Sequence, residues 1–210
     1  MGIINQGILG GVSGTVGTVV GGSWKGINYL RGKAGKYKDA NSAMQIGHRA
    51  KFSACVALAK AMMDNIIHRI WDRKAVKMSG YNLFVKTNLP MFDVNGDIPN
   101  YGKLTFSLGD LRLPDNLSVQ DDVETPGGIA ITWANNAGVG NAQASDRLRV
   151  LAMSEDEVSV LEGLNIARDA EAANILLPFG AGVEAQVYLF FENEANTSFS
   201  ASVHTTVALS

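Results

Sequence analysis

Few side chains in this 210-residue chain could do chemistry, and their spacing decides against most of it. The one thiol, Cys55, lies in an apolar stretch with no activating neighbour in sequence, and a lone cysteine makes neither an internal disulfide nor a CxxC metal pair. His48, His68 and His204 are far apart; twenty helical residues between the first two correspond to about 30 Å, beyond the reach of a single ion. Asp121-Asp122 and Glu155-Asp156-Glu157 supply clustered oxygens of the kind carboxylate dyads and calcium require, but in loops of an acidic region they read as solvated turns. Gly21-Gly22-Ser23-Trp24-Lys25-Gly26 fits neither GxGxxG nor GxxxxGK[ST], and GxSxG, HExxH, SxxK, kinase and EF-hand patterns are missing. The sequons at Asn116 and Asn196 would matter only in a eukaryotic secretory protein, and Met1 to Gln6 carries no basic leader charge. The expectation is therefore no enzyme, no cofactor and no metal.

Charge is more informative than any motif. Residues 1–90 hold 13 Lys or Arg against 3 Asp, a net +10, whereas residues 91–210 hold 5 basic against 17 acidic residues, a net −12. This split is consistent with a half that meets nucleic acid or a membrane, with stacking of one subunit's basic half on another's acidic half, or with two solvated regions that simply differ. The basic run Lys25, Arg31, Lys33, Lys36 and Lys38 is the candidate contact to nucleic acid or to a neighbouring subunit. Composition, with 46% hydrophobic and 18% charged residues, excludes collagen, wholesale disorder and a membrane-span class.

Three stretches must position these residues: a glycine-rich arm (1–38), a helical region (39–98) and a strand-rich region (99–210). The arm contains 11 of the 23 glycines and no charge before Lys25. Each glycine is roughly 1 kcal/mol worse than alanine in a helix, so a spanning helix is disfavoured. Ile8, Val12, Val16, Val20 and Trp24 fall on even positions, which predicts extended strand with one apolar stripe. An arm so rich in glycine needs a partner, either its own C-terminal region or a neighbour that accepts it as an added strand.

Apolar residues three to four apart from Asn41 to Arg73 predict one long amphipathic helix, capped by Asn41 or Ser42, and a second follows Ser79 and ends at Asn88-Leu89-Pro90. Beyond Pro99, strands are expected at 103–108, 128–134, 147–153, 173–178, 185–191 and 197–207, with Trp133 and the run Val187 to Phe191 as core. The fold class is α+β: the arm, one long and one short helix, then an antiparallel β-sandwich of immunoglobulin or fibronectin III kind.

Tyr188 in its strand and the Ser-rich stretch after Glu192 resemble the last hairpin of fibronectin type III-like domains. Across the chain, Ile4 to Gly11, Ser13 to Gly21, Trp24-Lys25-Gly26-Ile27-Asn28-Tyr29-Leu30-Arg31, Arg49 to Phe52 and Gly80 to Phe84 resemble an uncharacterised family of about 200-residue proteins found in Bacteroidota and their phages. A proline is expected after Arg31, where this chain has Gly32. The resemblance implies lineage and domain plan without an activity. Together these features lead to the expectation of a self-assembling, homo-oligomeric structural subunit of a phage virion, coat or tail, with nucleic acid as a further partner and the virion as its location. The alternative is a bacterial surface or secreted binding module that recognises a glycan or protein through sandwich loops, and the alternative location is the bacterial cell surface or the cytoplasm.

Overall fold

The structure, a computed structural model, describes residues 3–4, 12–35, 39–155 and 157–210. Two compact units divide the chain, residues 1–43 and 44–210.

The first unit is an antiparallel meander, β1 (Ile3–Ile4), β2 (Val12–Val16), β3 (Val19–Trp24) and β4 (Ile27–Gly32), in that spatial order. Two-residue turns at Gly17-Thr18 and Lys25-Gly26 join the last three strands. Lys25 and Gly26 both take positive φ, 46° and 79°, the backbone that matches a hairpin turn to the twist of its strands. The arm is thus not one extended strand but four short ones folded on each other.

The second unit opens with α1 (Ala43–Ala61), whose alanine-rich centre favours helix and whose Cys55, Leu58 and Ala59 are buried. The expected single helix to Arg73 instead widens. From Met63 to Trp71 it is π-helical, with the Ile67 N–H reaching the Met62 carbonyl at 2.9 Å, five residues back. The wider turn buries the adjacent residues Ile66 and Ile67, and then Ile70 and Trp71, on one side. A short α2 (Asp72–Lys74) closes the segment, and α3 (Gly80–Asn88) follows, with the Ser79 hydroxyl accepting from the Asn82 N–H at 3.2 Å.

Seven strands then form two sheets: β5 (Asp115–Asp122), β6 (Gly128–Ala134), β7 (Arg147–Met153), β8 (Val158–Leu161), β9 (Ala172–Leu176), β10 (Glu184–Glu192) and β11 (Val203–Ala208). One sheet runs β5-β6-β9 and the other β11-β10-β7-β8, all antiparallel. That division of three and four strands is the fibronectin III-like sandwich expected from the sequence.

The four-stranded sheet is buried on both faces. From β7 and β10, Leu148, Val150, Val187, Leu189 and Phe191 enter the core between the sheets, while Leu151, Met153, Tyr188 and Phe190 enter a second core shared with the helices. This is why Val187 to Phe191 reads as a continuous apolar run rather than an alternating one. Residues 39–98 and 99–210, distinct in sequence pattern, therefore contribute to a common core. A chain of rings, Trp71, Phe84, Phe106 and Tyr188, crosses it with centroids 5.0, 6.1 and 4.5 Å apart.

Residues 103–108 are not a strand, although Leu104 and Phe106 are buried as an alternating pattern requires. Side chains occupy the backbone groups that a ladder would use. Asn88 both accepts from the Thr105 N–H and donates to its carbonyl, Ser202 accepts from the Phe106 N–H, and Trp71 donates to the Phe106 carbonyl at 2.8 Å. β5 and β8 were not expected from the sequence.

Candidate assembly surface

The register of the N-terminal sheet determines which residues share a face, because cross-strand partners lie on the same side. Gly14 pairs with Gly21 and Val16 with Val19; across the next turn Trp24 pairs with Ile27, Gly22 with Tyr29 and Val20 with Arg31. One face thus carries Val12, Gly14, Val16, Val19, Gly21 and Leu30. The opposite face carries Val20, Gly22, Trp24, Ile27, Tyr29 and Arg31.

This overturns the single stripe expected for the arm. A two-residue turn at 17–18 pairs even positions of β2 with odd positions of β3, so Val12 and Val16 lie on one face and Val20 and Trp24 on the other. Ile8 lies outside the described residues, as do Lys36 and Lys38. Val12 and Val20 are half-buried, whereas Val16 and Trp24 stand 55% and 50% exposed. Ile27, Tyr29 and Leu30, which the sequence reading did not select, are equally exposed at 54%, 48% and 63%. The signal for them was present: turn-forming Lys25-Gly26 followed by Ile27, Tyr29 and Arg31 in alternation.

Both faces of this sheet therefore show large apolar side chains, and none of its described residues belongs to a buried hydrophobic core. Glycines keep it thin. A Cβ at Gly21 would run into the Val12 backbone carbonyl, and one at Gly22 would stand 2.8 Å from the Tyr29 hydroxyl, whose ring lies across β3. Charge here has one sign: Lys25 occupies the second turn, Arg31 is in β4, and Lys33 follows it with its N–H bonded to the Thr18 carbonyl at 2.7 Å. The first acidic residue in the chain is Asp39.

The ionisable groups buried in the second unit serve its packing. The Arg168 guanidinium, fully buried, donates to Asp146, Asn136 Oδ1 and the Arg112 carbonyl and lies 4.7 Å over the Phe191 ring. Buried Glu192 holds Arg69 of the π-helical segment and Arg149 of β7. Burial pushes the Cys55 thiol up to about 11 despite nearby Lys51. A recess of about 500 Å³ at one end of the sandwich is lined by Tyr101, Ser154, Glu155, Gly182, Val183, Glu184 and Gln186. Among the described residues no three His, Cys, Asp or Glu are grouped to hold a metal ion, and no helix is long and apolar enough to cross a membrane.

Fold and surface together describe an α+β protein with a fibronectin III-like sandwich and a separate apolar sheet. The chain belongs to a family of unknown function (DUF6266), whose profile matches residues 11–206. No curated protein matches it. Among solved structures it is similar to the fn3 domain of human collagen alpha-1(XX) chain, at 14% identity over 50% of this chain and 92% of that one, with a TM-score of 0.35.

Proposed function

We propose that this protein is a non-enzymatic structural subunit that assembles with copies of itself through its N-terminal sheet, as a coat or tail component of a phage virion. The observation that carries this reading is the aliphatic face: Val16, Val19 and Leu30 are exposed beside Gly14 and Gly21 on a sheet whose described residues join no buried core. Isolated sheets of a few short strands are marginal in water until an apolar face is covered, and a second copy supplies a matching surface. The opposite charges of the two halves favour ordered stacking over random collapse. The virion is supported by the resemblance to proteins of Bacteroidota and their phages.

Size-exclusion chromatography with negative-stain microscopy tests the reading: the full chain forms particles or filaments, and a chain lacking residues 1–23 stays folded and dispersed. A monomeric full chain would overturn it. The recess at the end of the sandwich favours the second reading, a surface module that takes a glycan or peptide there; such a module stays monomeric.

A further inference from the structure

The other face of the N-terminal sheet has a different chemistry. Trp24, Tyr29 and Arg31 share it, with Val20, Gly22 and Ile27 between them. Of the three tryptophans, Trp71 and Trp133 are buried and only Trp24 presents its ring to solvent. Tyr29 is held flat because Gly22 leaves its ring room to lie across the neighbouring strand. We infer that this face binds single-stranded nucleic acid, with bases stacked on Trp24 and Tyr29 and phosphates met by Arg31 and Lys33. The inference concerns the face opposite to the assembly contact and does not rest on assembly.

Three observations support this occupant over others. First, Trp24 and Tyr29 are diagonal neighbours in register, at a spacing of about 7 Å that long aromatic side chains bridge, and successive bases stack on such platforms. Second, no carboxylate precedes Asp39, so nothing in the first 38 residues repels a phosphate backbone. Third, among the described residues the face lacks the carboxylates and amides that grip sugar hydroxyls: Asn28 belongs to the opposite face. A duplex hides its base faces in the stack, whereas a single strand offers them.

The test is titration of the full chain with a fluorescein-labelled oligothymidine of roughly 12 nucleotides, within the range of single-strand site sizes. Anisotropy reads binding, and tryptophan emission reads the exposed Trp24 against the two buried rings. Binding at about 50 mM salt with partial quenching is expected. Trp24→Ala and Tyr29→Ala should each weaken it about fivefold or more, Trp24→Phe should retain most of it, and a duplex of equal length should bind less well. Arg31→Gln should flatten the slope of log affinity against log salt by about 0.7. No binding at low salt, equal affinity in Trp24→Ala and Tyr29→Ala, or a change in oligomeric state instead of oligothymidine affinity in these variants would overturn the inference. Dispersal of the oligomer by changes on the aliphatic face, with oligothymidine affinity intact, keeps the two claims separable.

Discussion

Trp24 and Tyr29 stand on one face of the N-terminal sheet because Trp24 pairs with Ile27 and Tyr29 with Gly22. The pairing depends on two adjacent glycines with different roles. Gly21 faces the Val12 backbone, which cannot yield, whereas Gly22 faces the far end of the Tyr29 side chain, which can.

Gly21→Ala should therefore separate β2 from β3, and Gly22→Ala should only displace the Tyr29 ring. Amide hydrogen exchange checks this: Gly21→Ala loses protection across residues 12–32 and Gly22→Ala keeps it, while protection in residues 44–210 is unchanged in both. Equal protection in the two variants would contradict the register.

Arg168 and Asp146 are both fully buried, and burial pulls the guanidinium below its usual range while Asp146 restores part of it. Removing one member of a buried pair strands the other's charge, so Arg168→Ala should cost about 3–5 kcal/mol of stability in chemical denaturation. Arg168→Lys should recover only part of this, because one ammonium cannot reach Asp146, Asn136 and the Arg112 carbonyl together. A loss under about 1 kcal/mol for Arg168→Ala would show that the pair is solvated.

Burial holds the His204 imidazole below its ordinary value of 6.5, with Nε2 2.7 Å from Gln186 Oε1. The folded state thus favours the neutral ring and the unfolded chain binds more protons. The contribution of His204 to stability is complete above the ordinary value and is lost as pH falls through the folded one. Thermal unfolding followed from about pH 7.5 to about pH 5 should drop more steeply for the native chain than for His204→Gln. Parallel curves would contradict this.

The buried Cys55 thiol, raised to about 11, should resist labelling by a disulfide reagent at about pH 8, where roughly a thousandth is thiolate. Labelling should speed up with denaturant in step with unfolding. Fast labelling in buffer alone would mean that α1 opens locally.

Much of the second unit was legible because periodicity and burial coincide there. Gly128 to Ala134 and Arg147 to Met153 form strands over the ranges read from their sequence, and α3 follows Ser79 as its sequence indicated. β5 was hidden by its composition: Asp115 to Asp122 is polar because the strand lies at the edge of its sheet and is mostly solvated. Residues 103–108 misled in the other direction, since alternation records burial but not whether a ladder partner exists. At the arm, β propensity was legible and register was not. The two-residue turn at Gly17-Thr18 moved half of an apparent stripe to the opposite face, and the turn at Lys25-Gly26 brings Trp24 beside Tyr29 and Arg31.

Sedimentation velocity of the full chain beside a Val16→Ser, Leu30→Ser double variant tests the assembly claim most directly. Both substitutions lie on exposed positions of the aliphatic face and leave the sandwich core untouched. The account predicts a native chain that sediments as a concentration-dependent oligomer and a variant that sediments as a 22.3 kDa monomer with unchanged thermal unfolding of the second unit. A native monomer, or a variant that assembles as the native chain does, would contradict it.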